Sequence, residues 1–144
     1  MAIDFKKYEQ FVDAVTSDSS KDFVALADRM GELDRQGACI ERLTTAGIGL
    51  AAESGEFLEI VKKMVFQGKP WNDDNREHLI IELGDVMWYV ANACIALGVD
   101  FDDVVKGNVK KLEKRYPGGS FSVEKSEVRA VSYTHLTLPT IYSV

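Results

Sequence analysis

The chain has 144 residues, of which 46% are hydrophobic and 28% are charged, a composition typical of one globular domain. Its formal net charge of −6 argues against broad binding to nucleic acids or anionic membranes, because both depend on extended basic surfaces. The N-terminus lacks the features of a signal peptide and no apolar run approaches the roughly 18 residues that span a bilayer, so we expect a cytoplasmic protein without membrane or nucleic-acid-polymer partners.

Apolar residues recur at helical spacing through the first half of the chain. The spacing predicts an amphipathic helix over Asp4–Val15 and a second helix over Lys21–Arg35, separated by a polar run. A third and longer helix is predicted over Ile40–Phe66, where Gly68 and Pro70 close the pattern.

The third helix contains three interior glycines, Gly47, Gly49 and Gly55. Each glycine costs up to about 1 kcal/mol relative to alanine inside a helix. Their number indicates either close approach by another backbone or a ligand, or only a slightly weak helix.

The second half predicts two more helices. Asp73, Asp74 or Asn75 can cap a helix that runs to Gly98. Asp100 can cap a last helix over Phe101–Tyr116, which a Pro-Gly-Gly sequence stops. The predicted fold class is therefore an all-α bundle of four to five helices without strands.

The helical pattern ends after Ser120, and we expect a single helical domain over residues 1–125. Residues 131–144 contain no Asp, Glu, Lys or Arg, and their phrase VSYTHL looks like the translation of a transposon-end sequence used in library preparation. We therefore interpret 126–144 as a disordered or non-native tail, the alternative being an apolar tail that docks on the bundle. Cys39 and Cys94 lie in apolar helical patterns and are expected to be buried free thiols.

Two pairs of acidic residues carry the chemistry that the sequence predicts. Glu53 and Glu56 are three residues apart on the third helix, and Glu82 and Asp85 repeat that spacing on the fourth, so each pair shares a helix face. Antiparallel packing of the two helices would bring the pairs together. Four crowded carboxylates need a compensating cation, and an all-oxygen set favours Mg²⁺ or Mn²⁺. The alternative is a polar seam in which these acids pair with lysines.

The fourth helix is apolar around most of its circumference, which is typical of an interior helix. One polar strip remains, stepping by four, three, four and three residues through His78, Glu82, Asp85, Tyr89 and Asn92. On the last helix Asn108, Lys111 and Arg115 also share one face, which suits an anion, although basic residues at a helix end also complement the helix dipole.

Three segments occur here in the order found in short MazG-like proteins: GLAAESGEFLEIVKK, IIELGDVMWYVANACIALGVDFDDVV and NVKKLEKRYPGGSF. From Ile40 to Phe121 the chain thus resembles MazG-like nucleoside triphosphate pyrophosphohydrolases, with an ExxE, an ExxD, an N-x-x-K and a KRYP element. The resemblance implies an all-α enzyme, usually a homodimer or homotetramer, that hydrolyses (deoxy)nucleoside triphosphates to the monophosphate and pyrophosphate. Such activity serves house-cleaning or control of nucleotide pools.

The resemblance also implies roles for single residues. Glu53, Glu56, Glu82 and Asp85 would hold Mg²⁺, and Glu53 or Glu56 would also orient or deprotonate the attacking water. Asn108, Lys111 and Arg115 would bind the substrate, with Tyr116 nearby. Tyr89 on the polar strip and Trp71 in the preceding loop are further candidates for the substrate site, because aromatic rings can stack on bases. The principal alternative is a metal-binding helical module that regulates or interacts without turnover.

Overall fold

The computed structural model describes residues 3–127, without the side chains of residues 125 and 127. These residues contain no strand. They form six α-helices: α1 (Phe5–Val15), α2 (Phe23–Arg35), α3 (Ile40–Phe66), α4 (Asp73–Leu97), α5 (Phe101–Arg115) and α6 (Val123–Glu127). The predicted all-α fold class is confirmed.

Short polar side chains set the starts of the first two helices. The carboxylate of Asp4 accepts a hydrogen bond from the Lys7 backbone N–H at 3.2 Å, and that of Asp22 accepts one from Ala25 at 2.9 Å. The polar run between these helices, predicted only as a break, contains a short 3-10 helix over Asp18–Ser20. No side chain of α1 or α2 is fully buried.

The core of the first compact unit, Met1–Val99, lies between α3 and α4. Its buried apolar residues are Ala46 and Ile60 on α3 and Cys94 on α4. Both cysteines carry free thiols, but Cys39 is only half-buried. The expectation of a buried thiol therefore holds for Cys94 alone. Cys39 is the N-cap of α3, and fewer neighbours cover a side chain at the start of a helix.

The N-cap of the fourth helix lies one residue before the predicted caps. Asn72 is its N-cap and accepts the backbone N–H of Asn75 at 3.0 Å. Asn75 is itself buried and donates its side-chain amide to the carbonyl of Pro70 at 2.6 Å. Its polar side chain is thus used to close the loop onto the helix, while Asp73 and Asp74 fall in the first helical turn, where their charges complement the dipole.

The prediction that α4 is an interior helix is wrong for the part of the chain that the structure describes. Ile80, Met87 and Ile95 are 52%, 42% and 64% exposed, and Trp88 is 58% exposed. The reason is that α4 packs chiefly against one neighbour, α3, so that only one of its faces is covered. By length and composition α4 could also cross a membrane, a criterion that core helices of non-membrane proteins meet as well.

The second compact unit comprises Asp100–Val144. In α5 the Asp103 carboxylate accepts the backbone N–H of Asp100 at 3.4 Å, as expected for a capped start. Residues Val123–Glu127 form α6, whereas the sequence pattern predicted no helix after Ser120. The single-domain boundary at 125 stays a prediction, and the proposed tail lies outside the described residues from 128 onward.

Candidate metal centre

Three carboxylates from two helices converge in the first unit. Glu53 of α3 and Glu82 and Asp85 of α4 each offer an oxygen atom, and these oxygens lie within 4.8 Å of one another. Two of them share the polar strip of α4, and α3 supplies the third across the helix pair. The antiparallel packing anticipated from the spacing of the acids thus brings them together.

Burial and repulsion act together on Glu53. Its side chain is half-buried, and loss of hydration raises its pKa above the ordinary glutamate range. The negative charges of Glu56, Asp85 and Glu82 raise this pKa further, in that order. The cluster therefore disfavours the ionised form of Glu53, and a cation would compensate it.

Glu56 occupies a different position from the other three acids. It is exposed and is not part of the group of converging oxygens, although its charge is the strongest that acts on Glu53. Its predicted role as a fourth metal ligand stays a prediction.

His78, the first residue of the polar strip of α4, is a neighbour of the cluster. Its Nε2 lies 3.0 Å from Oε1 of Glu82, one helical turn away. Glu82 is only 6% exposed, so this contact fixes the orientation of a buried carboxylate. The i, i+4 spacing of the two residues was the signal in the sequence.

Tyr89 lies against α3 at Gly49. A Cβ atom added at Gly49 would come within 2.0 Å of Cε1 of the Tyr89 ring. Only glycine therefore permits this approach, whereas a Cβ at Gly47 or Gly55 would meet no atom within 4 Å. Of the three glycines of α3 that the sequence analysis considered, Gly49 is therefore the one that the close approach of another side chain explains within the described residues.

The loop between α3 and α4 exposes Trp71, whose side chain is 69% accessible. Nothing within the described residues buries the indole ring, so it remains available as an aromatic platform. Its predicted contact with a base stays a prediction.

The predicted substrate-binding residues of α5 belong to the second unit. Asn108 and Lys111 are exposed, whereas Arg115 is half-buried. The Arg115 guanidinium donates to the carbonyl of Ser126 on α6 and lies 5.6 Å from the centre of the Tyr116 ring. The second unit thus holds this guanidinium in place with α6 and an aromatic face.

The three converging acids suit a hard divalent cation. Their donor atoms are all oxygens, and two Mg–O bonds placed end to end span about 4.2 Å. Neighbouring oxygens in an octahedral Mg²⁺ shell lie only about 3.0 Å apart, so oxygens separated by up to 4.8 Å would have to close by up to about 2 Å, a shift that rotation of the side chains can supply. By the chemistry of their donor atoms Glu53, Glu82 and Asp85 suit Mg²⁺, and Mn²⁺ prefers the same ligands.

The comparison with known families decides the assignment of the chain. The model of the MazG nucleotide pyrophosphohydrolase domain matches residues 42–120, more than half of the chain. The chain belongs to the MazG nucleotide pyrophosphohydrolase family. The Gene 37 protein of Mycobacterium phage L5 is 40% identical over 82 residues, which cover 56% of this chain and 71% of the phage protein. No solved structure matches the chain.

The MazG match begins within α3 and extends past α5. It includes all four predicted acids and the three predicted residues of α5, and it confirms the resemblance found in the sequence. Helices α1 and α2 lie outside the matched range, so family membership says nothing about their role.

Proposed function

We propose that this MazG-family chain hydrolyses (deoxy)nucleoside triphosphates to the monophosphate and pyrophosphate in a Mg²⁺-dependent reaction. The observation that carries the proposal is the convergence of three carboxylates from α3 and α4 in a chain of this family. The all-oxygen donor set and the raised pKa of Glu53 support a divalent cation at this position.

Glu53, Glu82 and Asp85 would hold the ion, and His78 would position Glu82 through its 3.0 Å contact with the carboxylate. When bound, Mg²⁺ would draw negative charge from the phosphate chain and make a nearby water more acidic. Glu56 is exposed beside Glu53 and is free to orient that water or to accept its proton.

The cationic face of α5 supports binding of an anionic substrate. Asn108, Lys111 and Arg115 are assigned to substrate binding because they match the family pattern. Lysine and arginine donors would stabilise the charge that develops on the departing pyrophosphate. Arg115 is already oriented by its own unit, which would reduce the entropy lost on binding.

We also propose that the chain works as a homodimer or homotetramer in the cytoplasm. The support is the apolar face that α4 leaves exposed, including Ile80, Met87 and Ile95. Contiguous apolar surface of this kind is usually covered by a partner. A second copy would bury it without placing the acidic side chains of the same helix in lipid.

The proposed activity is tested by measuring Mg²⁺-dependent pyrophosphate release over a panel of NTPs and dNTPs. Glu53→Gln keeps the size of the side chain and removes its charge, and we expect a loss of at least about 100-fold in kcat. Glu59→Gln is the matched control, because Glu59 lies on the same helix but pairs with Lys62 and Lys63 instead of the cluster. We expect this control to retain activity.

The outcomes separate the candidate functions. Turnover that Glu53→Gln abolishes and Glu59→Gln preserves would support the enzyme. Mg²⁺ binding in calorimetry without pyrophosphate release from any nucleotide would instead favour a regulatory or interaction module that retains the metal.

A further inference from the structure

A polar depression of about 320 Å³ opens at the N-terminal end of α3, away from the three acids. It is lined by Cys39, Glu41, Arg42, Thr45 and Asn92. Cys39 is the N-cap of α3, three of these residues lie in its first two turns and one comes from α4, so the depression spans the two helices. A volume of this size is ample for one planar heterocycle.

Hydrogen bonds fix the orientation of its main polar groups. Arg42 Nη1 donates to Oδ1 of Asn92 at 2.8 Å, and the Asn92 amide nitrogen donates to the backbone carbonyl of Trp88 at 3.1 Å. The Asn92 oxygen therefore faces α3 and retains a second lone pair, while Arg42 retains further N–H donors. Donors and an acceptor thus lie side by side before any ligand binds.

Glu41 adds a second acceptor at the edge of the depression. Its own backbone N–H lowers its pKa most, followed by the Cys39 thiol, which lies 3.3 Å away, and by the charge of Arg42. A carboxylate that is ionised at neutral pH can only accept hydrogen bonds. The depression therefore combines a guanidinium donor with a carboxylate and an amide oxygen as acceptors.

The depression and the acidic cluster lie along one α3–α4 seam. Three contacts follow one another from one end to the other: the acidic cluster, then Gly49 against Tyr89, then Arg42 with Asn92. On α4 the step from Asp85 to Asn92 is seven residues, which corresponds to about 10 Å along the helix axis. That distance is comparable with the reach of a nucleotide from its α-phosphate to the pairing edge of its base.

We propose that this depression is the base-recognition subsite of the same active site, and that it selects bases with an exocyclic amino group over uracil and thymine. The inference rests on the proposed function. Cytosine offers an amino donor beside ring acceptors, which matches a carboxylate beside a guanidinium. Uracil has a carbonyl oxygen where cytosine has the amino group, so that oxygen would face the Glu41 carboxylate and the two acceptors would repel.

dCTP and dUTP differ at this position and share the same sugar and phosphates, so they form the decisive pair. We expect the wild-type protein to show kcat/KM for dCTP at least about five-fold above that for dUTP, since a base-edge contact contributes this much or more. Glu41→Gln should reduce the ratio to near one, because the exposed amide can both donate and accept. Glu59→Gln on the same helix should leave the ratio unchanged.

Calorimetric binding of dCMP and dUMP in the presence of Mg²⁺ provides a readout without turnover. A preference for dCMP that Glu41→Gln removes would support the subsite even if pyrophosphate release were absent. Two results would overturn the subsite while leaving the proposed hydrolysis intact. One is equal kcat/KM and equal affinity for the cytosine and uracil nucleotides, and the other is a cytosine-to-uracil preference that neither Glu41→Gln nor Arg42→Ala changes. Absence of turnover with any nucleotide would overturn the hydrolysis instead.

Discussion

Replacing Gly49 by alanine would place a methyl group inside the space of the Tyr89 ring. The added carbon would lie 2.0, 2.2 and 2.2 Å from three ring atoms, well below an ordinary van der Waals separation. The ring cannot retreat freely, because it packs edge-to-face on Trp88 with the two centroids 4.8 Å apart. Either the ring must rotate away or the two helices must separate.

The expected size of the effect follows from two opposing contributions. Overpacking of this kind costs about 1–3 kcal/mol, whereas the better helix propensity of alanine returns up to about 1 kcal/mol. We therefore expect Gly49→Ala to lower the free energy of unfolding by about 1–2 kcal/mol, which corresponds to a fall in Tm of about 3–8 °C. Gly47→Ala adds a methyl group in open space on the same helix and should raise Tm slightly.

Thermal melts at one protein concentration in the presence of a chelator would measure both variants. A Gly49→Ala protein that melts at or above Gly47→Ala would refute the close approach. The double variant with Tyr89→Ala identifies the cause, because removal of the ring should turn Gly49→Ala from destabilising to neutral or stabilising. A cost that persists without the ring would point to another neighbour.

Three further predictions concern the charge, the position of a ligand and the assembly. Because the pKa of Glu53 is raised in the folded state, the metal-free protein should gain stability as the pH falls through the range just above the ordinary glutamate pKa. Glu53→Gln should flatten this dependence of Tm on pH. An unchanged slope in the variant would contradict the prediction. His78→Ala should weaken Mg²⁺ binding about 10-fold in calorimetry because Glu82 loses its orienting partner, and equal affinity would show that the contact is incidental. Ile95→Glu should dissociate the proposed oligomer in light scattering, whereas a wild-type monomer would refute the docking role of α4.

Most of the local structure of this chain is predictable from short-range rules. The range of α3 was predicted to the residue, and Asp100 precedes α5 as anticipated, because capping and termination depend on residues within one or two turns. Asp4, which the pattern placed inside the first helix, is its N-cap. The N-cap of α4 was misplaced by one residue. The sequence offers four consecutive polar residues from Asn72 to Asn75, and the structure uses Asn72, the one that had not been considered as a cap. Helix α6 was missed because its five residues are too few to establish a periodic pattern.

The acidic cluster was predictable from the sequence only in part. The spacing of Glu53, Glu82 and Asp85 predicted which faces would carry them, and the structure places their oxygens together. The i, i+4 spacing of His78 and Glu82 allows the two side chains to meet, but the sequence alone does not show how deeply Glu82 is buried.

The sequence alone determined helices α1 to α5, their polar faces and the family of the chain, because these properties follow from residues close together along the chain. Only the tertiary structure decided that Arg42 donates a hydrogen bond to Asn92, fifty residues away, and that the Tyr89 ring packs directly against Gly49. It also decided that one apolar face of α4 stays exposed. These features depend on the register and the number of neighbours of each helix. The register and the number of neighbours are set by packing between side chains that are distant in sequence, and no local sequence pattern encodes this packing.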